Sequence, residues 1–200
     1  MPISVHSRAE ALIEALPYIQ KFRGKLFVIK YGGSAMEDDA VIDRLLRDIV
    51  LLEAVGINPV VIHGGGKAIS QRMRDAGQKP RFVNGLRVTD AEAISIVESV
   101  LDGVINPDIA ARIVKFGGRA EGIHGKTVLV GKKLPLQAEG SEKVDLGFVG
   151  EVTDVNSAPI ENAVHREVVP VISPLARDEQ MDQSRADAKP ALAMTGGCAA

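Results

Sequence analysis

The sequence predicts a three-layer α/β/α sandwich with a mainly parallel sheet, and three observations lead there. Two short, apolar, β-rich runs, Lys25 to Tyr31 and Asn58 to His63, each end in glycines. Each is followed by apolar residues at helical spacing. The two strand, loop and helix units follow one another without a break. Strands that alternate with helices lie parallel and are joined by right-handed connections, so the carboxyl ends of both strands reach one edge of the sheet.

Taken in order, Arg8 to Phe22 carries Ala11, Leu12, Ala15, Leu16 and Ile19 as a helical stripe, with Pro17 placed to kink it. After the first strand and Gly32-Gly33, the residues Val41, Ile42, Leu45, Leu46, Ile49 and Leu52 predict a helix ending at Gly56. After the second strand, Gly64-Gly65-Gly66 leads into a helix from Lys67 to Ala76. Lys79 to Val88 is extended around Asn84-Gly85, a hairpin signal, and Thr89 is expected to cap a helix through Ile94, Val97, Val100 and Leu101. Pro107 suits the first turn of a separate helix, Asp108 to Phe116. Val128 to Val130 and Gly147 to Val155 read as strands, and Ile160 to Arg166 as a helix before the apolar run Val168 to Ile172. From Ala176 onward no strand pattern is visible, and the sheet is expected to stop part-way.

The bulk numbers narrow the function. With 46% hydrophobic residues in 200, the chain can bury one substantial core. A net charge of -2, with 24 Lys and Arg spread along the chain, gives no basic field for nucleic acid. No run approaches the ~18 apolar residues of a membrane span, and Met1 to Glu10 lacks the apolar centre of a signal peptide. A cytoplasmic location is therefore expected, and the lone Cys198, unable to form an internal disulfide, agrees with it.

Lys30 is the sharpest single residue: a charge near the end of an apolar strand, directly before a glycine pair. A buried lysine is costly unless it meets an anion, and the glycine loop beside it can hold one on backbone N–H groups. The plainer alternative is an edge lysine reaching to water. Gly64-Gly65-Gly66 allows close backbone approach with a helix N-terminus behind it, although it matches neither a P-loop nor a dinucleotide fingerprint, and a simple turn is the alternative. His63 reads as a structural hydrogen-bonding residue. Arg87, just after the hairpin turn, offers a guanidinium fork for a carboxylate, against the alternative of a surface arginine. There is no Ser-His-Asp spacing, no Gly-x-Ser-x-Gly elbow and no Cys or His cluster suited to a metal, which weakens hydrolase and metalloenzyme readings.

At these residues the chain resembles the amino-acid kinase family, within it the branch whose members phosphorylate the side-chain carboxylate of N-acetyl-L-glutamate with ATP in arginine biosynthesis. The motifs are Phe27-Val28-Ile29-Lys30-Tyr31-Gly32-Gly33, Val60-Val61-Ile62-His63-Gly64-Gly65-Gly66-Lys67, Asn84-Gly85-Leu86-Arg87-Val88-Thr89-Asp90 and Val144-Asp145-Leu146-Gly147-Phe148-Val149-Gly150-Glu151-Val152. The resemblance implies ATP with magnesium as the nucleotide complex, N-acetyl-L-glutamate as acceptor, and a homo-oligomer. By it, Lys30 would act catalytically on the transferring phosphoryl group, Gly32 and Gly33 would meet the ATP phosphates, and Gly65, Gly66 and Arg87 would hold the acceptor. Residues 1–24 would be a kinked helical extension that links dimers, or simply pack on their own core; 25–175 would be the acceptor-binding lobe. Residues 176–200 form an atypical tail where a nucleotide-binding lobe is expected. Where the family carries Asn-Ala-Asp, this chain has Arg185-Ala186-Asp187, followed by Lys189-Pro190. By the resemblance Asp187 would be the catalytic aspartate that organises the lysines, and Arg185 replaces an acceptor-binding asparagine. The expectation is an acceptor lobe without its nucleotide-binding half, through truncation, a frameshift or an incomplete reading frame, and with little turnover of its own; the alternatives are a related kinase of the family with another acceptor, or a non-catalytic acetylglutamate-binding or assembly module.

Overall fold

The computed structural model describes residues 5–36, 38–139, 142–179 and 191–194. Arg185, Asp187, Pro190 and Cys198 lie outside the described residues. The central sheet has four parallel strands, β1 (Leu26–Tyr31), β2 (Asn58–His63), β5 (Ala120–Ile123) and β10 (Val169–Ile172), in the order β1-β2-β10-β5. Side chains alternate across it. Val61 and Val171 face a core built with Leu46, Ile49, Met73, Val97 and Ile113, whereas Val60, Ile62 and Ile172 face a second core with Val128, Leu129 and Ala176. Helices α2 (Asp39–Ala54), α3 (Gly66–Asp75), α4 (Ala91–Val100) and α5 (Asn106–Lys115) supply the first core, and α6 (Gly125–Val128) with α7 (Ala158–His165) the second, which gives the α/β/α layering.

Four differences from the sequence-based expectation have physical causes. Strand β1 is an edge strand among the described elements, and because Leu26, Phe27 and Val28 join neither cluster that covers the sheet, they are 49%, 38% and 48% exposed rather than buried. The helix α4 does not stop before Pro107. It passes through a π turn, Leu101–Ile105, into α5. A proline in a regular helix removes one hydrogen bond and collides with the carbonyl four residues back; widening the turn, with Gly103 at that position, lets the chain continue, and the Asn106 N–H bonds to the Leu101 carbonyl instead. The cap of α4 is Asp90, which accepts from Glu92 N (3.1 Å) and Ala93 N (2.8 Å), while Thr89 is fully buried and its hydroxyl donates to the Arg87 carbonyl. The region after Ala176 does contain strand: β11 (Leu175–Asp178) and β12 (Ala191–Met194) close a small four-stranded barrel with β6 (Leu129–Lys133) and β9 (Val149–Val155). An Ala-Leu-Ala-Met run has no local β preference, and its pairing with Val149 and Gly150 is long-range.

Helix α1 (Val5–Phe22) runs through Pro17 and leaves Leu12, Ile13, Leu16 and Tyr18 between 48% and 70% exposed, so its apolar stripe does not pack on the core. Among the described residues no helix is long and apolar enough to cross a membrane.

Candidate functional site

The parallel register places Lys30 opposite Ile62 and Tyr31 opposite His63, so the glycine loops after β1 and β2 leave the sheet side by side. They touch through their backbones: Gly64 N donates to Tyr31 O at 2.6 Å, and a methyl group built on Gly32 would lie 3.5 Å from Gly64 Cα. Gly65 has an extended backbone, so conformation does not demand glycine there; space does. An added Cβ would be 2.7 Å from both Ile105 Cδ1 and Leu101 Cδ2 of the π turn. Gly66 opens α3 and an added Cβ would meet nothing within 4 Å. Gly65→Ala is therefore expected to cost about 1–3 kcal/mol by overpacking and to lower the thermal unfolding midpoint, while Gly66→Ala leaves it near that of the parent. A Gly65→Ala midpoint equal to the parent's would contradict this packing.

The guanidinium comes from a hairpin, β3 (Phe82–Val83) and β4 (Leu86–Arg87), turned by Asn84 and Gly85, both at positive φ. Its two faces do different work. Val83, 2% exposed, and Leu86 pack with Leu146, Val149 and Val88 and anchor the hairpin. The opposed pair Phe82 and Arg87 lines the other side. Arg87 Nη2 donates to Gly66 O (2.9 Å) and Ser70 Oγ (2.8 Å), Nη1 donates to Met73 Sδ (3.2 Å), and the guanidinium carbon lies 4.7 Å from the Phe82 ring centre. Partial burial, then the nearby Arg74, lower the Arg87 pKa, and it remains a cation at any physiological pH.

Lys30, Gly32, Gly33, Gly65, Gly66 and Arg87 all line one cavity of about 1020 Å3. Lys30 is exposed on its wall, so the burial argument made for it from sequence does not hold, although its place beside the glycine loop does. At the same cavity Arg112 is committed to Asp39 (2.9 Å), Asp108 (3.0 Å) and Asp43 (3.4 Å), with the Asp39 hydrogen bond the chief cause of its raised pKa. Asp187 lies outside the described residues.

His63 stands behind the glycine loop, 2% exposed, with Nδ1 3.0 Å from Gly64 O and Nε2 3.2 Å from Asn106 Nδ2, which also donates to Val171 O at 2.8 Å. A carbonyl partner makes Nδ1 the donor, so Nε2 accepts and the ring is a neutral structural group. Burial lowers its pKa from 6.5 against the opposing effects of Gly64 O and Asp102. A base whose folded pKa is depressed leaves the unfolded chain binding more protons, so its contribution is complete above about pH 6.5 and is lost as pH falls from there toward the folded value. Denaturant midpoints measured from about pH 8 to pH 5 should fall on the acid side, with a smaller slope in His63→Gln; equal slopes would remove His63 from that role.

The sequence pattern that defines the amino acid kinase family matches residues 25–193. The chain belongs to this family. Among its curated relatives, the acetylglutamate kinase of Methanocaldococcus jannaschii is 50% identical over 184 residues, which are 89% of this chain and 61% of that protein. The acetylglutamate kinase of Akkermansia muciniphila is 47% identical over 171 residues, 86% of this chain and 58% of that one. The chain thus spans about three fifths of the length of these relatives. In structure, an N-acetylglutamate synthase from Neisseria gonorrhoeae, complexed with coenzyme A and N-acetyl-glutamate, superposes with a TM-score of 0.70 at 22% identity, covering 89% of this chain and 39% of that one. A Giardia carbamate kinase gives 0.51 at 15% identity, covering 86% and 67%. These two likenesses establish the amino acid kinase fold.

Among the lining residues that were not singled out from sequence are Asp39, Asp108 and Arg112, and the two that touch Arg87, Ser70 and Phe82. Ser70 stands one helical turn after Gly66, and Phe82 was accessible through the hairpin itself, because a two-residue Asn84-Gly85 turn pairs 83 with 86 and 82 with 87.

Proposed function

We propose that this chain forms the acceptor-binding part of a phosphotransferase that moves the terminal phosphoryl group of ATP to the side-chain carboxylate of N-acetyl-L-glutamate, a cytoplasmic step of arginine biosynthesis. The observation that carries the proposal is the convergence of Arg87, the Gly65-Gly66 corner and Lys30 on one cavity, in a chain half identical to an acetylglutamate kinase. Arg87 and the first N–H groups of α3 hold the acidic acceptor. The loop at Gly32-Gly33 and the Lys30 ammonium suit the phosphates of ATP, which carries magnesium as its own complex. Backbone contact between Gly32 and Gly64 would bring the two ligands together. The acceptor carboxylate is already ionised, so its oxygen bonds to phosphorus as the bond to the departing ADP breaks, and no proton has to move; the residues position the partners and offset charge. Asp187 is assigned to organising the lysines. A methyl group at Gly66 would meet no protein atom within 4 Å and would sit on the cavity wall, so Gly66→Ala should weaken acceptor binding with the fold intact.

Titration calorimetry with N-acetyl-L-glutamate, L-glutamate, L-aspartate and carbamate tests the acceptor. Saturable binding strongest for N-acetyl-L-glutamate is expected; no heat with it, or tighter binding of another acid, would overturn the assignment. Turnover is read separately, as ADP release that depends on the acceptor. The exposed apolar face of α1 favours an additional assembly role, in which copies of the chain associate through Leu12, Ile13, Leu16 and Tyr18. The double variant Leu12→Glu, Leu16→Glu should lower the mass measured by light scattering. An unchanged mass counts against α1 as the interface.

A further inference from the structure

We infer that Phe82 is the positioning residue for Arg87, and that its ring together with Ser70 fixes the guanidinium plane that meets the acceptor carboxylate. This rests on the acceptor assignment above. Phe82 and Arg87 are directly opposed across the two-residue hairpin, on the face turned away from the Val83 and Leu86 anchor. The ring is 49% exposed, unusual for a phenylalanine that serves only a core, and it lines the same cavity as Arg87. With the guanidinium carbon 4.7 Å from its centre, the ring attracts the cation and covers one side of it. In the plane, Gly66 O and Ser70 Oγ take Nη2 while Met73 Sδ takes Nη1. Ser70 Oγ also donates to Gly66 O at 2.8 Å, so the acceptor atoms that receive Nη2 are themselves fixed to the start of α3. An arginine held on a ring face and by three acceptors has lost its rotamer freedom before any ligand arrives, which lowers the entropic cost of binding.

The experiment is a double-mutant cycle on the full chain, read by calorimetry with N-acetyl-L-glutamate, using Phe82→Leu, Arg87→Ala and the pair, with Phe82→Tyr as the conservative variant and thermal unfolding as control. Phe82→Leu is expected to weaken binding about five- to tenfold with little change in unfolding midpoint, Phe82→Tyr to restore it, and Phe82→Leu to have no further effect once Arg87 is alanine. If Arg87→Ala weakens binding and Phe82→Leu does not, or if the two losses simply multiply, the positioning role is overturned while the acceptor assignment stands. If Arg87→Ala itself leaves binding unchanged, the acceptor assignment falls and this inference with it.

Discussion

Arg87→Ala should reduce affinity for N-acetyl-L-glutamate by about 10- to 100-fold, with the unfolding midpoint close to that of the parent. The magnitude follows from a charge-assisted hydrogen bond in a partly desolvated place, about 1.5–3 kcal/mol. The fold should tolerate the loss because the hairpin is anchored by Val83 and Leu86 rather than by the arginine. The partners that Arg87 leaves behind stay satisfied, since Ser70 still donates to the Gly66 carbonyl. Arg87→Lys should recover only part of the affinity, because an ammonium neither stacks on Phe82 nor reaches Gly66 O and Ser70 Oγ together. Calorimetry with the three proteins decides the matter, and equal affinities would remove Arg87 from the site.

Gly147→Ala should be strongly destabilising, on the order of 3 kcal/mol, which in a chain of this size lowers the unfolding midpoint by about 10 °C. Gly147 has φ +72, and an added Cβ would fall 2.1 Å from the Thr89 carbonyl oxygen. That oxygen cannot retreat. Thr89 is fully buried, its N–H donates to Leu146 O at 2.8 Å, and its carbonyl accepts from Phe148 N at 2.7 Å. Since Thr89 follows Arg87 by two residues, the same substitution should dislodge the hairpin and weaken acceptor binding as well. A midpoint and affinity matching the parent would show that the close approach between these segments is wrong.

The parts of this architecture that were legible in the sequence are those encoded locally. Apolar runs broken by glycine pairs announced β1 and β2, and Asn84-Gly85 announced the hairpin, because turn geometry and side-chain period are properties of neighbouring residues. What escaped depended on distant partners. Lys30 looked buried because its strand is apolar, yet a strand side chain is buried only where another layer covers its face of the sheet, and Leu26, Val28 and Lys30 share a face that neither buried cluster reaches. Thr89 and Asp90 are both good caps by type, and the choice fell to Asp90 because the Thr89 backbone is taken by Leu146 and Phe148. The π turn reconciles Pro107 with an unbroken helix, a solution that a proline rule read alone does not contain. Strand β12 has no β-like composition at all and exists through pairing with β9 and β11.

We propose that one cavity, rimmed by the two glycine corners, Lys30 and Arg87, receives an N-acylated acidic amino acid. Its most direct test is an NMR titration of the isotope-labelled chain with N-acetyl-L-glutamate, following backbone amides and the arginine Nε–H signals. Gly65, Gly66 and Arg87 should shift together and saturate at one ligand per chain, with smaller changes at Gly32 and Gly33. Shifts confined to the separate hollow around Asp102 and His124, or none at all, would contradict it.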